Sequence, residues 1–260
     1  MAYSAIALAP KYVKYLVTAD NGRGHGIHSP FVFELVTQVL RDRAGYPAYG
    51  AVEMLRTSLL KDHTLLTVQD FGAGVSSSRS VSSIATSALK PRKFGQLFFR
   101  IARHYRPRTI LELGTSLGVT TSYLALGAPA ASVVTCEGAP AIAAVARRNF
   151  ASLGLASISV VEGNFDDTLP GVLSAPLDLA YIDGNHRLEP TMRYYRQMQP
   201  FLHADSVLIF DDIHWSPEME EAWAQLKSDP AVTCSVDLFY IGILFFRREI
   251  FTPQHFTIRF

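Results

Sequence analysis

A short apolar segment that runs into a glycine-rich turn is the feature that most constrains this 260-residue chain. Residues 109–113 read TILEL, and the turn at 114–118 reads GTSLG. An apolar run of this length that is bounded by glycine is typical of a buried strand, and the apolar pattern after Gly118 predicts a helix. Proteins of the α/β class build nucleotide-sized sites on such units, because glycine lets the backbone approach a ligand closely.

Strand and helix signals alternate after residue 90. The predicted strands cover residues 109–113, 133–137, 158–162, 177–182 and 207–210. This alternation predicts a parallel sheet with helices on both faces. Two further apolar runs, at 232–239 and 243–248 with a short turn near Gly242, predict a β-hairpin towards the C-terminus.

The order of these motifs resembles the class I S-adenosylmethionine-dependent methyltransferases over about residues 90 to 250. The resemblance rests on the sequence Glu-x-Gly-x-x-x-Gly, on Glu137 ending the second strand, on Gly163-Asn164 after the third and on Ile182-Asp183 at the fourth. It implies a doubly wound, Rossmann-like, mostly parallel seven-stranded sheet. An antiparallel C-terminal hairpin and a mainly helical N-terminal extension would complete the fold.

The resemblance also implies where S-adenosylmethionine would bind. In that family the glycine turn wraps the methionine part of the cofactor, the acid after the second strand takes the ribose hydroxyls, and residues after the third strand edge the adenine. On this chain the implied cofactor site consists of Glu112, Gly114, Thr115, Ser116, Gly118, Glu137, Gly138, Gly163, Asn164, Phe165 and Asp183. The alternative is that the turn is a plain connection and that Glu137 is a solvated loop acid.

Three carboxylates follow the predicted fourth and fifth strands, namely Asp183, Asp211 and Asp212. Because parallel strands gather their carboxyl ends at one edge, these acids are expected to converge. Close carboxylates repel one another unless a cation neutralises them, and an all-oxygen set suits Mg²⁺, or Mn²⁺ if an imidazole joins. The alternative is that these acids cap helices or accept from backbone amides.

These acids extend the resemblance to the metal-dependent O-methyltransferases of the catechol and caffeoyl-coenzyme A type. Those enzymes hold their cation with an Asp after the fourth strand and an Asp-Asn pair after the fifth, so Asp183, Asp211 and Asp212 match, with Asp212 in place of the Asn. His186 lies where the relatives have a lysine that can act as base. His186 and Asp183 are therefore the predicted catalytic residues, although His186 could instead be a metal ligand or a residue at a helix start.

The resulting hypothesis is S-adenosylmethionine-dependent O-methylation of a small-molecule hydroxyl, assisted by Mg²⁺ or Mn²⁺. A non-catalytic or metal-independent cofactor-binding protein is one alternative. A nicotinamide-dependent oxidoreductase is a weaker one, because the turn lacks the Gly-x-Gly-x-x-Gly pattern. Amino-group methylation of nucleic acid is disfavoured, because residues 182–186 read IDGNH rather than an Asn-Pro-Pro-Tyr-like segment.

Composition agrees with a globular enzyme. The formal net charge is +1 and 48% of residues are hydrophobic, so no nucleic-acid partner is expected. A leader signal and an apolar stretch of about 18 residues are not recognisable, which predicts a cytoplasmic protein without a membrane partner. A homodimer is compatible with the sequence. The two cysteines, Cys136 and Cys234, are predicted to be buried thiols.

The first 90 residues are predicted to form a helical extension or lid, and residues 91–260 the cofactor-binding domain. Helices are expected at 5–17 and 31–40, the second with a Ser29-Pro30 cap. The glycine- and histidine-rich segment between them is either a linker or a lid that brings Arg23, His25 or His28 to the substrate. A second glycine stretch, at 69–74, is assigned to the extension, because no strand with a terminal acid follows it.

Overall fold

The computed structural model describes residues 2–20, 22, 27–69 and 76–260. The chain divides into two compact units, Met1–Asp42 with Ser174–Phe260 as the first and Arg43–Leu173 as the second. The boundary predicted near residue 90 falls inside the second unit. Arg23, His25 and the glycines of the stretch at 69–74 lie outside the described residues. The lid hypothesis for Arg23 and His25 stays a prediction.

Helices and strands alternate along most of the chain. The helices are α1 (Ala5–Thr18), α2 (Pro30–Glu34), α3 (Pro47–Leu59), α4 (Val81–Ala88), α5 (Arg92–Tyr105), α6 (Val119–Gly127), α7 (Pro140–Ser152), α8 (Phe165–Val172), α9 (Leu188–Met198) and α10 (Pro217–Lys227). The strands are β1 (Leu65–Gln69), β2 (Ser76–Ser80), β3 (Thr109–Leu113), β4 (Ser132–Glu137), β5 (Ile158–Glu162), β6 (Leu179–Ile182), β7 (Val207–Asp211), β8 (Cys234–Asp237), β9 (Ile241–Phe245) and β10 (Gln254–Thr257). A π-helical turn (Leu35–Leu40) continues α2, and a 3-10 turn (Gln199–Phe201) continues α9.

In the described part of the chain, parallel pairs predominate in the second unit, whereas the first unit has two parallel and two antiparallel pairs. In the second unit β3, β4 and β5 are parallel neighbours. In the first unit β6 and β7 are parallel, β9 is antiparallel to both β7 and β8, and β10 is parallel to β8. The α/β class and the antiparallel hairpin are therefore confirmed. Besides β1 and β2, the described residues form eight strands, five in the first unit and three in the second. The sequence predicts seven.

The C-terminal hairpin turns earlier than its sequence suggests. Residues 238–240 connect β8 to β9, and Phe239 adopts a left-handed backbone with φ 71°. Gly242, where the turn is expected, lies inside β9 opposite Asp237. A Cβ on Gly242 would lie 2.6 Å from the ring of Trp223 on α10. The glycine is therefore required by close helix packing rather than by a turn.

The beginning of the chain follows its sequence signals closely. The predicted helix at 5–17 is α1, and Ser29 caps α2 by accepting a hydrogen bond from the Val32 amide at 3.5 Å. Pro30 occupies the first helical position, which needs no amide donor. By contrast, the apolar run from Leu65 forms an antiparallel hairpin with the serine-rich β2, which the sequence does not predict.

Both cysteines are free thiols buried in strands, as predicted. Burial raises the pKa of the Cys136 thiol to about 11 and that of the Cys234 thiol to about 12. Neither is therefore suited to act as a thiolate nucleophile. Within the described part of the chain, no helix combines the length and apolarity that crossing a membrane requires.

The close approach of Gly242 to Trp223 generates a stability prediction. Gly242→Ala is expected to lower the free energy of unfolding by about 1–3 kcal/mol, because the added methyl group overpacks the contact. Gly50→Ala on α3 is the matched control, since a Cβ there meets nothing within 4 Å and alanine favours a helix by about 0.5–1 kcal/mol. Urea unfolding measures both variants. A Gly242→Ala protein as stable as the unmodified chain would contradict the packing argument.

Candidate functional site

The glycine turn at residues 114–118 has an uncommon backbone. Gly114, Ser116 and Gly118 have φ values of 105°, 48° and 77°, so three of its five residues are left-handed. A Cβ on Gly118 would lie 2.5 Å from the ring of Phe150, so this position also needs glycine for space. The helix α6 starts directly after Gly118 without a side-chain cap.

Backbone and side-chain hydrogen bonds hold this turn from several sides. The amides of Gly114 and Thr115 both donate to the Cys136 carbonyl, at 3.0 and 3.1 Å. The Asn149 side-chain amide on α7 donates to the Leu117 carbonyl at 2.9 Å. The Ser122 hydroxyl donates to the Gly118 carbonyl at 2.7 Å. The turn is therefore shaped before any ligand binds.

Glu112 is fully buried beneath the turn, among threonine hydroxyls. Its Oε2 accepts hydrogen bonds from Thr121 and, at 2.6 Å, from Thr135. The hydroxyls of Thr115 and Thr135 are also 2.6 Å apart. Two predicted cofactor residues, Glu112 and Thr115, thus direct their side chains into the protein. Thr135 is not among the residues predicted from the sequence. It lies opposite Glu112 in the strand register and is a polar residue in an apolar strand.

Glu137 lies against the glycine turn. One carboxylate oxygen accepts from the Ser116 amide at 2.8 Å, and the other accepts from the Ala139 amide at 2.9 Å. Burial raises the pKa of Glu137, and the hydrogen bonds from backbone amides partly oppose that rise. Because a carboxylate has about four acceptor positions, Glu137 can still accept from a ligand.

Residues after β5 join this group through the backbone. The Gly163 amide donates to the Glu137 carbonyl at 3.0 Å, which places the start of the next loop beside Glu137. The Asn164 side chain caps α8 by accepting from the Asp166 amide at 3.2 Å, and Phe165 is the first residue of that helix. Gly138 follows Glu137 directly and is half-buried. The structure therefore brings together most of the predicted cofactor residues, all within the second unit.

A second polar cluster lies in the first unit. One ligand atom each of Asp183, His186 and Asp211 lies within 4.8 Å of the other two. The His186 Nε2 and the Asp183 Oδ1 are 3.3 Å apart, and Asp211 is only 1% exposed. Two carboxylates and an imidazole are a donor set that fits a divalent cation, and the mixed oxygen and nitrogen donors suit Mn²⁺ better than Mg²⁺.

Two tyrosines and a strained loop position this cluster. The Tyr181 hydroxyl donates to the Asp183 Oδ2 at 2.9 Å. Asn185 and His186 both have left-handed backbones, with φ values of 62° and 36°, and the Asn185 amide group donates to the Tyr194 hydroxyl. Strained non-glycine residues of this kind concentrate at functional sites. Tyr181 precedes Asp183 by two residues and so shares its strand face.

Asp212 lies outside the three-residue cluster. Its backbone turns left-handed directly after β7, with φ 53°, and its amide donates to the Tyr240 carbonyl at 2.7 Å. Burial raises the pKa of Tyr240, and electrostatic interactions with Tyr12 and with the Asp212 carboxylate add to that rise. The sharp turn explains why adjacency to Asp211 in sequence does not put both carboxylates in one ligand group.

His214 is occupied by two other carboxylates. Its Nε2 is 2.8 Å from an oxygen of Asp237 and its Nδ1 is 3.2 Å from one of Glu220. Burial works against the charged imidazole, but the hydrogen bonds to both carboxylates outweigh it, and the pKa of His214 is raised. His214 is therefore held in place by Asp237 and Glu220.

Comparison with known proteins adds an independent observation. Residues 111–213 match a methyltransferase domain family. The chain is 35% identical over 121 residues to the catechol O-methyltransferase of Mycobacterium tuberculosis. The matched segment covers 46% of this chain and 54% of that protein. It is 29% identical over 126 residues to that of Niastella koreensis, at 46% and 55% coverage. The chain thus spans about half the length of the curated relatives it matches.

Solved structures share the fold at low sequence identity. An SAH-bound methyltransferase of Podospora anserina superposes with a TM-score of 0.58 at 15% identity, over 95% of this chain and 98% of that one. An O-methyltransferase of Bacillus cereus in complex with SAH gives 0.57 at 17% identity, over 78% and 92%. The resemblance to S-adenosylmethionine-dependent methyltransferases is therefore confirmed.

The raised pKa of Glu137 generates a prediction on pH. If Glu137 accepts from ribose hydroxyls, as the resemblance implies, affinity for S-adenosylhomocysteine falls as the pH falls from a point above the ordinary glutamate pKa of about 4.3, because protonation removes acceptors. Glu137→Gln is expected to weaken binding about 10- to 100-fold and to flatten the pH profile. Calorimetric titration across the acidic range measures both effects.

Glu162 provides the matched control for this titration. It ends β5 opposite Glu137 in the register, and its side chain pairs with Arg147. Glu162→Gln should leave both the affinity and its pH dependence close to those of the unmodified chain. Equal weakening by the two substitutions would show that general charge, rather than a contact of Glu137, governs binding.

Proposed function

We propose that this chain is an S-adenosylmethionine-dependent O-methyltransferase that acts on a small-molecule hydroxyl with the help of a divalent cation. The observation that carries the proposal is the preformed turn at 114–118 with the Glu137 carboxylate against it, inside the segment that matches the methyltransferase domain family. A fold of this kind also supports other chemistries, so the residues of the two clusters carry the argument from here.

The second unit is assigned the cofactor. The left-handed turn would let the methionine part lie close to the backbone at Gly114, which carries no side chain. The Glu137 carboxylate would accept from the ribose hydroxyls, and the residues that follow Gly163 would edge the adenine. These assignments agree with the hydrogen bonds that join Ser116, Glu137 and Gly163.

The first unit is assigned the acceptor. Asp183 and Asp211 would hold the cation, which when bound acts as a Lewis acid towards the acceptor oxygen. The His186 imidazole would take the hydroxyl proton, and the Asp183 Oδ1, which lies 3.3 Å from its Nε2, would stabilise the charged ring that results. The bond from the cofactor sulfur to its methyl group breaks as the new carbon–oxygen bond forms. The products are a methyl ether and S-adenosylhomocysteine.

An aromatic diol is the substrate class that we propose. The two curated relatives are named catechol O-methyltransferases. Two adjacent hydroxyl oxygens can bind one cation together, which fixes the acceptor oxygen relative to Asp183 and Asp211 and lowers its proton affinity. A phenol with a single hydroxyl lacks the second anchor and should react far more slowly.

The activity test uses the full chain with S-adenosylmethionine, catechol and Mn²⁺ or Mg²⁺. We expect O-methylated catechol and S-adenosylhomocysteine in equal amounts by liquid chromatography and mass spectrometry, little product from phenol, and loss of activity in EDTA that excess metal restores. Cofactor binding without transfer to any diol would support a non-catalytic binding protein instead. Full turnover in EDTA would overturn the role of the metal.

The cluster geometry predicts different results for two neighbouring aspartates. Asp211→Asn is expected to weaken Mn²⁺ binding and to lower kcat about 100-fold or more, because a preorganised charge at the acceptor is lost. Asp212→Asn is the matched control and should retain metal binding, since Asp212 is not in the group of Asp183, His186 and Asp211. Calorimetry with Mn²⁺ and steady-state kinetics measure the effects. The reverse ranking would move the metal to Asp212.

A third variant separates the two roles of His186. If His186 removes the proton, His186→Gln keeps Mn²⁺ affinity, lowers kcat by about 100-fold or more and removes a pH-dependent step from the rate profile. If His186 is a ligand instead, the same substitution weakens Mn²⁺ binding directly. Metal titration of the variant therefore decides between base and ligand before any rate is compared.

A further inference from the structure

We propose that Thr135 is a positioning residue for the cofactor, through a relay of buried hydroxyls that joins Glu112 to the glycine turn. This inference rests on the proposed function, since it concerns the same cofactor site. It adds a residue that neither the motif nor the comparisons point to, because Thr135 lies inside β4 rather than in a loop.

The hydrogen bonds of the relay have a defined direction. Glu112 Oε2 accepts from Thr135 at 2.6 Å, and this contact uses the single hydroxyl hydrogen of Thr135. The contact of 2.6 Å between Thr115 and Thr135 must then be donated by Thr115. The Thr115 hydroxyl is therefore committed to the protein interior and is not a donor to the cofactor.

The relay is buried, and hydrogen bonds hold both of its ends. Glu112, Thr121 and Thr135 are 0% exposed and Thr115 is 2% exposed. Thr121, in the first turn of α6, donates to the same Glu112 oxygen as Thr135. One carboxylate thus holds the strand β4, the start of α6 and the first part of the turn. In a low-dielectric interior such charge-assisted bonds are strong, and they polarise one another.

The turn needs this support because its backbone is strained. Ser116 is a non-glycine residue with φ 48°, a conformation that persists only when its surroundings fix it. On one side Glu137 accepts from the Ser116 amide, and on the other Thr115 is held by Thr135 and by the Cys136 carbonyl. Without the relay, the cofactor would have to order the turn as it binds, and apparent affinity would fall.

The test compares Thr135→Val, which keeps the shape and removes the hydroxyl, with Thr135→Ser, which keeps the hydroxyl. We expect Thr135→Val to raise the Kd for S-adenosylhomocysteine and the KM for S-adenosylmethionine about 10-fold, with the KM for the acceptor unchanged. Thr135→Ser should restore most of the affinity. Hydrogen exchange at residues 114–118 should be faster in Thr135→Val than in the unmodified chain or in Thr135→Ser.

Two controls separate positioning from a general loss of stability. Thr191→Val removes a threonine hydroxyl that is equally buried but lies on α9 in the first unit, and it should leave cofactor affinity unchanged. Thr115→Val breaks the relay one step closer to the turn, and it should weaken cofactor binding as Thr135→Val does. It takes the place of Thr135→Val in the test if the Thr135→Val protein does not fold.

The outcomes distinguish this inference from the proposed function. If the unmodified chain does not bind S-adenosylhomocysteine, the proposed function fails. If the unmodified chain binds and both Thr135→Val and Thr115→Val bind equally well, the function stands and the relay is overturned. A fall in affinity that Thr135→Ser does not restore also overturns it, because the hydroxyl would then not be the group responsible.

Discussion

A buried carboxylate under a strained glycine turn is the interaction on which the cofactor half of this protein depends. Glu112 has no solvent exposure, and hydrogen bonds donated by threonine hydroxyls stabilise it there. Those donors come from β4 and from the first turn of α6. The same contacts that satisfy the buried charge therefore fix the backbone between them, which is the part of the chain assigned to the cofactor.

The acceptor half uses charge differently. Asp183, His186 and Asp211 are gathered closely enough that a cation would relieve the repulsion between the carboxylates. The strained residue Asn185 is held by a hydrogen bond to Tyr194, and Asp183 is held by a hydrogen bond from Tyr181. In both units, neighbouring side chains hold polar groups whose burial or close approach would be unfavourable without partners. These held groups support the residues to which we assign cofactor binding and catalysis.

Strand positions and strand-end residues are the parts of this fold that the sequence predicts best. The strand at 109–113 is predicted exactly, because a short apolar run followed by glycine leaves little alternative. The short strand β10 is missed, since four residues with three polar side chains carry no periodic signal. The turn of the C-terminal hairpin is misplaced at Gly242, because glycine marks both turns and close packing, and here it accommodates Trp223.

The sequence by itself determined the α/β class, the order of motifs and the residue types available for a cofactor and a cation, because these depend on local periodicity and on strand ends. Only the tertiary structure decided that Thr115 turns inward to Thr135, that His186 joins Asp183 and Asp211, and that Asp212 does not. Hydrogen-bond direction and side-chain convergence depend on residues far apart in the chain and on single backbone angles. Neither leaves a pattern in a linear sequence.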